Sequence, residues 1–437
     1  MELRPDAQRV VITGLGAISP LGHTVAEYWD GLIHGRSGIG KITQFDASEF
    51  PTQIAGEVKD FDVSKWMNIK EARRIGRASQ LAFATAHEAL TDAGMGLPFP
   101  EELQEDAGVL IGTAMGNFDK ADEEMQIFRK KGWRFASPFG ITAAMPNMPS
   151  HHVSMLAQAK GPISTVVSAC ATGTQAIGEA AEHIRRGAAK IMISGGVEGM
   201  IRPYGIGGFN VMRALSTRND DPEGASRPFD KTRDGFILSE GCGLLVLESL
   251  EHARSRGAKI YAEVLGYSSS SDAYHVAAPD PTAAGAVRAM KWALRDARVE
   301  PHEVSYINAH GTSTPVNDAV ETLAIKKLFG EQAYNIPISS SKSMIGHCMG
   351  AAGALEAIAC TQIIQEQMIH ATINYVTPDP DCDLDYVPNT PRKSNIKVTL
   401  SNSFGLGGNN ACLVLGAYSQ NGTGHSSHAT HPQRQIH

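Results

Sequence analysis

A repeated helix and strand pattern is the sequence feature that most limits how this chain of 437 residues can fold. Residues 81–93 place apolar side chains at helical spacing, and residues 108–112 then form a short apolar strand. Residues 286–297 and 304–308 repeat this order, and both helices end in the same phrase, Ala-Leu-x-Asp-Ala. The repeat predicts two related α/β halves within one chain.

Alternating strands and helices predict crossover connections, which produce mostly parallel sheets. Two such sheets with helices between and outside them give the fold class that we expect, a five-layer αβαβα sandwich. Residues 247–256 favour a helix that ends at Gly257, which indicates a seam between the halves. We therefore expect an N-terminal half at 9–256, a C-terminal half at 257–417 and a disordered tail at 418–437.

Composition argues against several classes of function. No run of about 18 apolar residues occurs, and Glu2 and Asp6 lie in an N-terminus without an apolar segment, so a membrane span or a targeting signal is not expected. The net charge of -7 argues against nucleic-acid binding. The six cysteines are scattered without a Cys-x-x-Cys pair, which predicts neither a disulfide framework nor a zinc site and favours a cytoplasmic location.

Cys170 is the strongest candidate nucleophile in the sequence. It follows the β-branched run at 163–167, and small residues directly after it begin a helical pattern. This junction puts the thiol at a helix N-terminus, where unpaired N–H groups and the positive end of the dipole favour the thiolate. Taken alone, the same cysteine is equally compatible with a small buried core residue.

Three further segments place polar residues in a loop that follows a strand. They are residues 308–314 with His310, residues 339–347 with Lys342 and His347, and residues 401–410 with three glycines. Active sites of parallel α/β sheets gather at the carboxyl ends of strands, which favours a shared site for these loops. His347 precedes a helix of small residues whose dipole favours a neutral imidazole. The glycine segment lacks the Gly-Lys-Ser/Thr ending of a P-loop, so phosphate binding is not expected.

Together these segments resemble the thiolase-fold condensing enzymes, specifically the β-ketoacyl-[acyl-carrier-protein] synthase II group. The similarity is carried by residues 167–173, 308–314, 342–347 and 401–408, and it runs from about Arg9 to Gly416. The Cys-His-His set differs from the Cys-His-Asn set of the initiating synthases. It also differs from the active site of thiolases, which contains a second cysteine. Chain-length factors lack the nucleophile that Cys170 supplies here.

The resemblance implies an acyltransferase that performs a decarboxylative Claisen condensation. Cys170 would hold the acyl group, while His310 and His347 would donate hydrogen bonds to malonyl-carrier protein as carbon dioxide leaves. Lys342 would adjust the local electrostatics of His310 and the malonyl group, and the backbone N–H groups of Cys170 and Phe404 would form the oxyanion hole. The product would be a 3-oxoacyl chain two carbons longer, as in fatty acid synthesis, and no organic cofactor would be required.

The resemblance also implies residues that bind substrate. Thr312 and Thr314 would hydrogen-bond the pantetheine arm, and Phe404 would gate the acyl pocket. The expected pocket walls are Met115, Ile141, Phe209 and Phe404. Glu356 would either hold Lys342 through hydrogen bonds or, together with Asn308, Ser401 and Asn402, supply oxygen ligands for a structural Na⁺ or K⁺. Leu406 and Gly140 stand where relatives often have aromatic residues, so the sequence leaves the acyl chain length open.

The expected partner is an acyl carrier protein, and the family implies a homodimer. Carrier proteins are strongly acidic, and a local basic patch would attract them despite the overall negative charge. Its expected members, spaced about one turn apart on a predicted helix, are Lys70, Arg73, Arg74 and Arg77, and the resemblance adds Arg213. A solvated helix face explains the same charges equally simply.

Three other functions remain open at this level. A ketosynthase of a type II polyketide or specialised acyl pathway would use the same residues. A degradative thiolase would need a second cysteine, which residues 401–408 lack, although Cys348 lies beside His347. A non-catalytic partner that binds carrier protein would have no need for Cys170 and both histidines.

Overall fold

A computed structural model describes residues 4–419, which form a mixed α/β architecture. Ten strands within this range build one sheet, and four short strands form two separate pairs. In chain order the strands are β1 (Val10–Ile18), β2 (Gly40–Lys41), β3 (Ile54–Ala55), β4 (Ala107–Gly112), β5 (Ile163–Ser164), β6 (Ile191–Glu198), β7 (Gly241–Ser249), β8 (Ala262–Ser271), β9 (Tyr306–Asn308), β10 (Ile338–Ser339), β11 (Met368–Ile369), β12 (Arg392–Lys393), β13 (Val398–Gly405) and β14 (Asn409–Gly416).

Helices connect most of these strands. In chain order the α-helices are α1 (Val25–Ile33), α2 (Ile69–Ala72), α3 (Arg77–Asp92), α4 (Phe118–Lys131), α5 (Gly140–Ala144), α6 (Met148–Ala157), α7 (Thr172–Arg185), α8 (Pro203–Val211), α9 (Leu250–Ser255), α10 (Ala284–Ala297), α11 (Pro315–Phe329), α12 (Lys342–Ile345) and α13 (Ala352–Glu366). Within residues 4–419, none of the helices combines the length and the apolar character that crossing a membrane requires.

The strand order displays the duplication that the sequence repeat predicts. The N-terminal half has the order β5-β4-β6-β7-β1, and the C-terminal half has the corresponding order β10-β9-β13-β14-β8. In each half the first two pairs are parallel and the last two are antiparallel. The expectation of mostly parallel sheets is therefore wrong. Residues 406–408 return the chain directly from β13 into β14, and such a tight connection makes an antiparallel pair.

The expected αβαβα layering is confirmed. Strands β1 and β8 pair antiparallel, with Val10 opposite Val264, so the sheets of the two halves are continuous along one edge. Helices α7 and α13 contact strands of both halves and form the middle layer. Helix α3 packs against β1 and β7 on one outer side, and α10 packs against β8 and β14 on the other.

The middle layer determines where the functional loops meet. Helix α13 is buried along nearly its whole length, as expected for a helix between two sheets. At the start of α7, a Cβ on Gly173 would lie 2.7 Å from the Ala354 backbone nitrogen, so the two helices approach each other too closely for a larger residue. The residues that precede α7 and α13 are therefore neighbours.

The helix at the predicted seam is shorter than expected. The helix predicted from Leu247 begins instead at Leu250, because residues 241–249 pair in β7 and the Ser249 hydroxyl accepts the His252 N–H at 3.2 Å. Most of the predicted tail lies outside the described residues, although Tyr418 accepts a 3.1 Å hydrogen bond from Arg254. The division into halves at 256 and 257 stays a prediction.

Candidate active site

Cys170 lies between β5 and α7, in the position that the sequence indicates. One 3₁₀ turn, Ala169–Ala171, leads into the helix, and the Thr172 hydroxyl accepts the Ser168 N–H at 2.8 Å. Ala169 has a φ of +50°, a left-handed conformation that is strained for a residue with a Cβ. This sharp turn holds the buried thiol at the beginning of the helix.

His310 follows β9, and a buried carboxylate fixes its loop. Glu321 of α11 accepts the backbone N–H groups of His310 and Gly311, both at 2.8 Å. The sequence analysis missed Glu321. No motif marks it in the sequence, because its burial in α11 and its hydrogen bonds to the loop backbone are visible only in the fold.

His347 lies in the connection between α12 and α13. Its backbone N–H donates to the Ile237 carbonyl at 2.7 Å, and its carbonyl accepts the Ser239 N–H at 3.0 Å. Neither ring nitrogen has a hydrogen-bond partner among the described residues, although both are buried. A buried imidazole with free nitrogens is suited to binding a ligand.

The three side chains converge on one cavity. The Cys170 sulfur and a nitrogen of each histidine all lie within 4.8 Å of one another. The imidazole rings of His310 and His347 meet edge to face, with centroids 5.4 Å apart. All three residues line a cavity of about 450 Å³. The structure thus brings together a thiol and two imidazoles from distant parts of the sequence, a donor set that would also suit a soft transition metal.

Burial controls the protonation of the nucleophile. It raises the pKa of the Cys170 thiol to about 11, although the Leu406 backbone N–H and the Lys342 ammonium both lower that pKa. The expectation that the helix end favours a thiolate is therefore wrong for the free site, because loss of solvation outweighs the helix N–H groups. The sulfur must lose a proton as it attacks.

The two imidazoles are the available proton acceptors. Burial lowers the pKa of His310 and of His347 well below the usual range, and the Lys342 charge lowers both further. Both rings are therefore neutral near pH 7, in agreement with the expectation for His347. The largest cause of the lowered pKa of His347 is burial, and not the helix dipole that the sequence suggested.

Lys342 acts on these groups through its charge. It does not line the cavity, and its ammonium forms an ion pair with Glu356 in which both side chains are only 1% exposed. Lys342 lowers the pKa of Cys170, His310 and His347 alike. These shifts support the electrostatic role of Lys342 towards His310 that the resemblance implies.

Phe404 and Gly405 end β13 directly beside the nucleophile. The Phe404 ring centroid lies 5.9 Å from that of His310. A Cβ at Gly405 would lie 2.9 Å from the Ser168 carbonyl oxygen and 3.0 Å from the Cys170 nitrogen, so only glycine permits this approach. The Leu406 N–H, which interacts with the sulfur, was missed because backbone donors leave no pattern in side chains.

The cavity contains some of the predicted binding residues and not others. Phe209, Arg213, Thr312 and Thr314 line it together with Phe404, and the two threonine hydroxyls lie 2.9 Å apart. Met115 does not line this cavity, and Ile141 is 84% exposed on the surface of the chain. Their part in an acyl pocket stays a prediction.

The predicted basic helix is interrupted. Lys70 lies in the single turn of α2, residues 73–76 leave the helix, and α3 begins at Arg77. The break places Arg73 and Arg74 on the surface, whereas Arg77 is bound to the buried Glu240 at 2.8 Å. Arg77 is thus a structural residue. Arg213 is exposed at the cavity wall.

The predicted cation ligands divide between two sides of β13. Asn308 donates to the Ser401 hydroxyl at 3.2 Å, and the Asn308 Oδ1 and Glu356 Oε2 atoms are buried without a hydrogen-bond partner among the described residues. Asn402 instead donates to Glu321 at 3.2 Å, on the other face of the strand. Asn402 therefore lies apart from the other predicted ligands, and the cation site stays a prediction.

Cys348 does not act as a second nucleophile in this arrangement. It is fully buried, its sulfur donates to the Glu240 carbonyl at 3.4 Å, and it does not line the cavity. Burial raises the pKa of the Cys348 thiol. The structure therefore offers no support for a two-cysteine thiolase site.

Known protein families agree with this geometry. The profile of the beta-ketoacyl synthase N-terminal domain matches residues 7–253, and that of the C-terminal domain matches residues 261–376. The chain belongs to the beta-ketoacyl synthase family. It is a condensing enzyme of the acyltransferase class.

Similar proteins extend over nearly the whole chain. A protein of Synechocystis sp. named 3-oxoacyl-[acyl-carrier-protein] synthase 2 is 50% identical over 94% of this chain and 99% of its own. A protein of Coxiella burnetii with the same name is 49% identical over 94% of this chain and 99% of its own.

Solved beta-ketoacyl synthase structures share the fold. A beta-ketoacyl synthase from Burkholderia phymatum has a TM-score of 0.88 and 36% identity, covering 94% of this chain and 100% of its own. A type II polyketide acyl-carrier protein in complex with its ketosynthase has a TM-score of 0.86 and 37% identity, covering 94% and 99%.

Proposed function

We propose that this protein is a 3-oxoacyl-[acyl-carrier-protein] synthase that joins an acyl group on Cys170 to the two-carbon unit of malonyl-carrier protein. The observation that carries the proposal is the convergence of the Cys170 sulfur with His310 and His347 in one cavity. The shared family and the names of the relatives support this reaction.

The first half-reaction transfers the acyl group to sulfur. Because the free thiol is protonated, its proton passes to a neutral imidazole as sulfur attacks the thioester carbon, and then to the departing carrier thiolate. The bond from the acyl carbon to the carrier sulfur breaks, and a bond to Cys170 forms. Backbone N–H groups at Cys170 and Phe404 would stabilise the oxyanion, and the closeness of Gly405 to Cys170 supports this arrangement.

The second half-reaction forms the carbon–carbon bond. Malonyl-carrier protein loses carbon dioxide while His310 and His347 donate hydrogen bonds to its thioester oxygen, where negative charge develops. The resulting carbanion attacks the acyl carbon on Cys170. The thiolate leaves, takes up one proton, and the 3-oxoacyl product remains on the carrier protein.

The carrier protein and its pantetheine arm would contact two groups of residues on this chain. Thr312 and Thr314 line the same cavity as the two histidines and would hydrogen-bond the arm. The exposed cations that would attract the acidic carrier surface are Lys70, Arg73, Arg74 and Arg213. One solved relative is itself a complex of a ketosynthase with its acyl-carrier protein.

We assign the substrate to fatty acid elongation rather than to polyketide assembly. The relatives named 3-oxoacyl-[acyl-carrier-protein] synthase 2 are 47% to 50% identical to this chain, whereas the polyketide ketosynthase is 37% identical. Turnover with acyl-carrier proteins of increasing length, plus malonyl-carrier protein, tests the assignment. Extension of saturated acyl chains supports it, and extension of only 3-oxo chains contradicts it.

A homodimer is part of the proposal. Strand β5 forms an end of the sheet with both of its residues exposed, and Ile141, Met155 and Val167 are also exposed. An unpaired edge flanked by apolar side chains favours pairing with a second copy. Light scattering during gel filtration would detect it, with a monomer at micromolar concentration as the contrary result.

We propose that catalysis needs no organic cofactor and that any bound metal is structural. Asn308, Ser401 and Glu356 would hold Na⁺ or K⁺ through oxygen atoms, two of which lack partners within the described chain. Activity that survives chelation of divalent metals supports this assignment. Stoichiometric zinc in the active protein would contradict it, because zinc would occupy Cys170.

The proposal places the enzyme in the cytoplasm. All six cysteines are buried and unpaired, as expected for a protein kept in a reducing compartment. Fractionation of cells followed by detection of the protein with antibody tests the location.

A further inference from the structure

Glu198, at the end of β6, is a fully buried carboxylate for which the condensation steps have no use. Its Oε2 atom accepts the Ala114 N–H at 2.9 Å and the Gly350 N–H at 3.2 Å. Its Oε1 atom accepts the Met115 N–H at 3.3 Å, and the Thr113 hydroxyl donates to it at the same distance. One side chain therefore joins the loop after β4 to the loop after His347.

These two loops carry apolar side chains at the cluster that contains the nucleophile. Met349 belongs to the same buried apolar cluster as Cys170 and lines the cavity, and Ala114 packs against that cluster. Met349 has a φ of +45°, which is strained for a residue with a side chain and must be held by its surroundings. The hydrogen bond from the next residue, Gly350, to Glu198 is one such restraint.

The backbones of the two loops also touch directly. A Cβ on Gly350 would lie 2.5 Å from the Ala114 nitrogen and 2.9 Å from the Glu198 carboxylate. Ala114 and Gly350 therefore meet without an intervening side chain, and a shift of either loop would change the other. The carboxylate accepts hydrogen bonds from both and fixes their separation.

We propose that Glu198 is a positioning residue for acyl transfer, because it fixes the Ala114 and Met349 wall against which the first carbons of an acyl group on Cys170 would lie. The identity of the acyl substrate rests on the proposed function, whereas the arrangement of Glu198 and the two loops does not. A rigid wall at this depth would favour straight acyl chains over chains that branch beside the carbonyl.

Glu198→Gln keeps the shape of the side chain but replaces one acceptor oxygen with an N–H₂ group that faces N–H donors. The ratio of kcat/KM for butyryl thioester to kcat/KM for isobutyryl thioester should fall by about tenfold. Discrimination of this size is typical of one methyl or methylene group in an apolar pocket. Glu88→Gln is the matched control, because Glu88 also accepts two backbone N–H groups, both at 2.8 Å, outside the cavity. The control should keep the preference of the native enzyme.

A second readout works without turnover. The ratio of Cys170 alkylation by iodoacetamide and by its branched homologue 2-iodopropionamide probes the same wall. It should also fall in Glu198→Gln. If that variant does not fold, Glu198→Asp, which is one methylene shorter and cannot span both loops, should show the same change.

The outcomes separate this inference from the proposed function. A folded Glu198 variant with native values of both ratios, or with a uniform loss for straight and branched substrates and reagents, would overturn the inference. If the native protein transfers no acyl group but the alkylation ratio still changes, the proposed function and the acyl substrate fail, while the positioning of the wall by Glu198 stands.

Discussion

Lys342→Met tests how the buried ion pair contributes to stability and to catalysis. The substitution removes the ammonium and leaves the Glu356 carboxylate at 1% exposure without its partner. Breaking a buried ion pair in this way costs about 3–5 kcal/mol. For 437 residues the entropy of unfolding is about 0.9 kcal/mol per degree, so the melting temperature should fall by about 3–6 °C.

The same substitution should change the pH dependence of decarboxylation. The Lys342 charge lowers the pKa of His310 and of His347, so removing that charge raises both values. Neutral imidazoles are required, and they would be lost at a higher pH than in the native enzyme. The acidic limb of the rate profile for malonyl-carrier protein should therefore move towards higher pH.

The double variant Lys342→Met with Glu356→Leu is the control for stability. Replacing both partners with apolar residues of similar volume should recover most of the melting temperature, because no unpaired carboxylate remains. It should not restore the native pH profile, because the ammonium is still absent. An unchanged melting temperature in the single variant, or a native acidic limb in either variant, would refute this reasoning.

Three other substitutions test separate parts of the account. Gly405→Ala should reduce acylation of the nucleophile at least about a hundredfold, since its Cβ would press on the backbone that donates to the oxyanion; near-native acylation of the folded variant would contradict this. Asn substitutions made singly at His310 and at His347 should abolish decarboxylation yet leave the acyl-enzyme detectable by mass spectrometry, because the remaining imidazole still accepts the thiol proton, and continued release of carbon dioxide would argue against their role. Reversing the charges of Arg73 and Arg74 should raise KM for carrier-bound substrate and spare small thioesters, whereas equal effects would exclude steering.

The sequence predicted the features that depend on local patterns. The repeated helix pattern appears as α3 and α10, and the loops with Cys170 and His310 follow strands as expected. Strand direction was predicted poorly. Strands β13 and β14 form an antiparallel hairpin, but the glycine segment at 405–408 was interpreted as a loop and not as the turn that joins them.

Properties that arise from burial were not predictable in the same way. The helix start at Cys170 suggested a thiolate, but enclosure by residues far along the chain raises the thiol pKa and reverses that expectation. Glu198 and Glu321 carry no motif of their own. Their importance is visible only once their carboxylates are found on the backbone of the catalytic loops.

The central claim is that the sulfur of Cys170 accepts the acyl group and releases it to a decarboxylated malonyl unit. Intact and peptide mass spectrometry after mixing with acyl-carrier protein, followed by addition of malonyl-carrier protein, tests it most directly. The account predicts an acyl mass on the peptide that contains Cys170, which disappears as the 3-oxoacyl product forms on the carrier. An acyl group on Cys348, or an acyl-Cys170 that malonyl-carrier protein does not discharge, would contradict it.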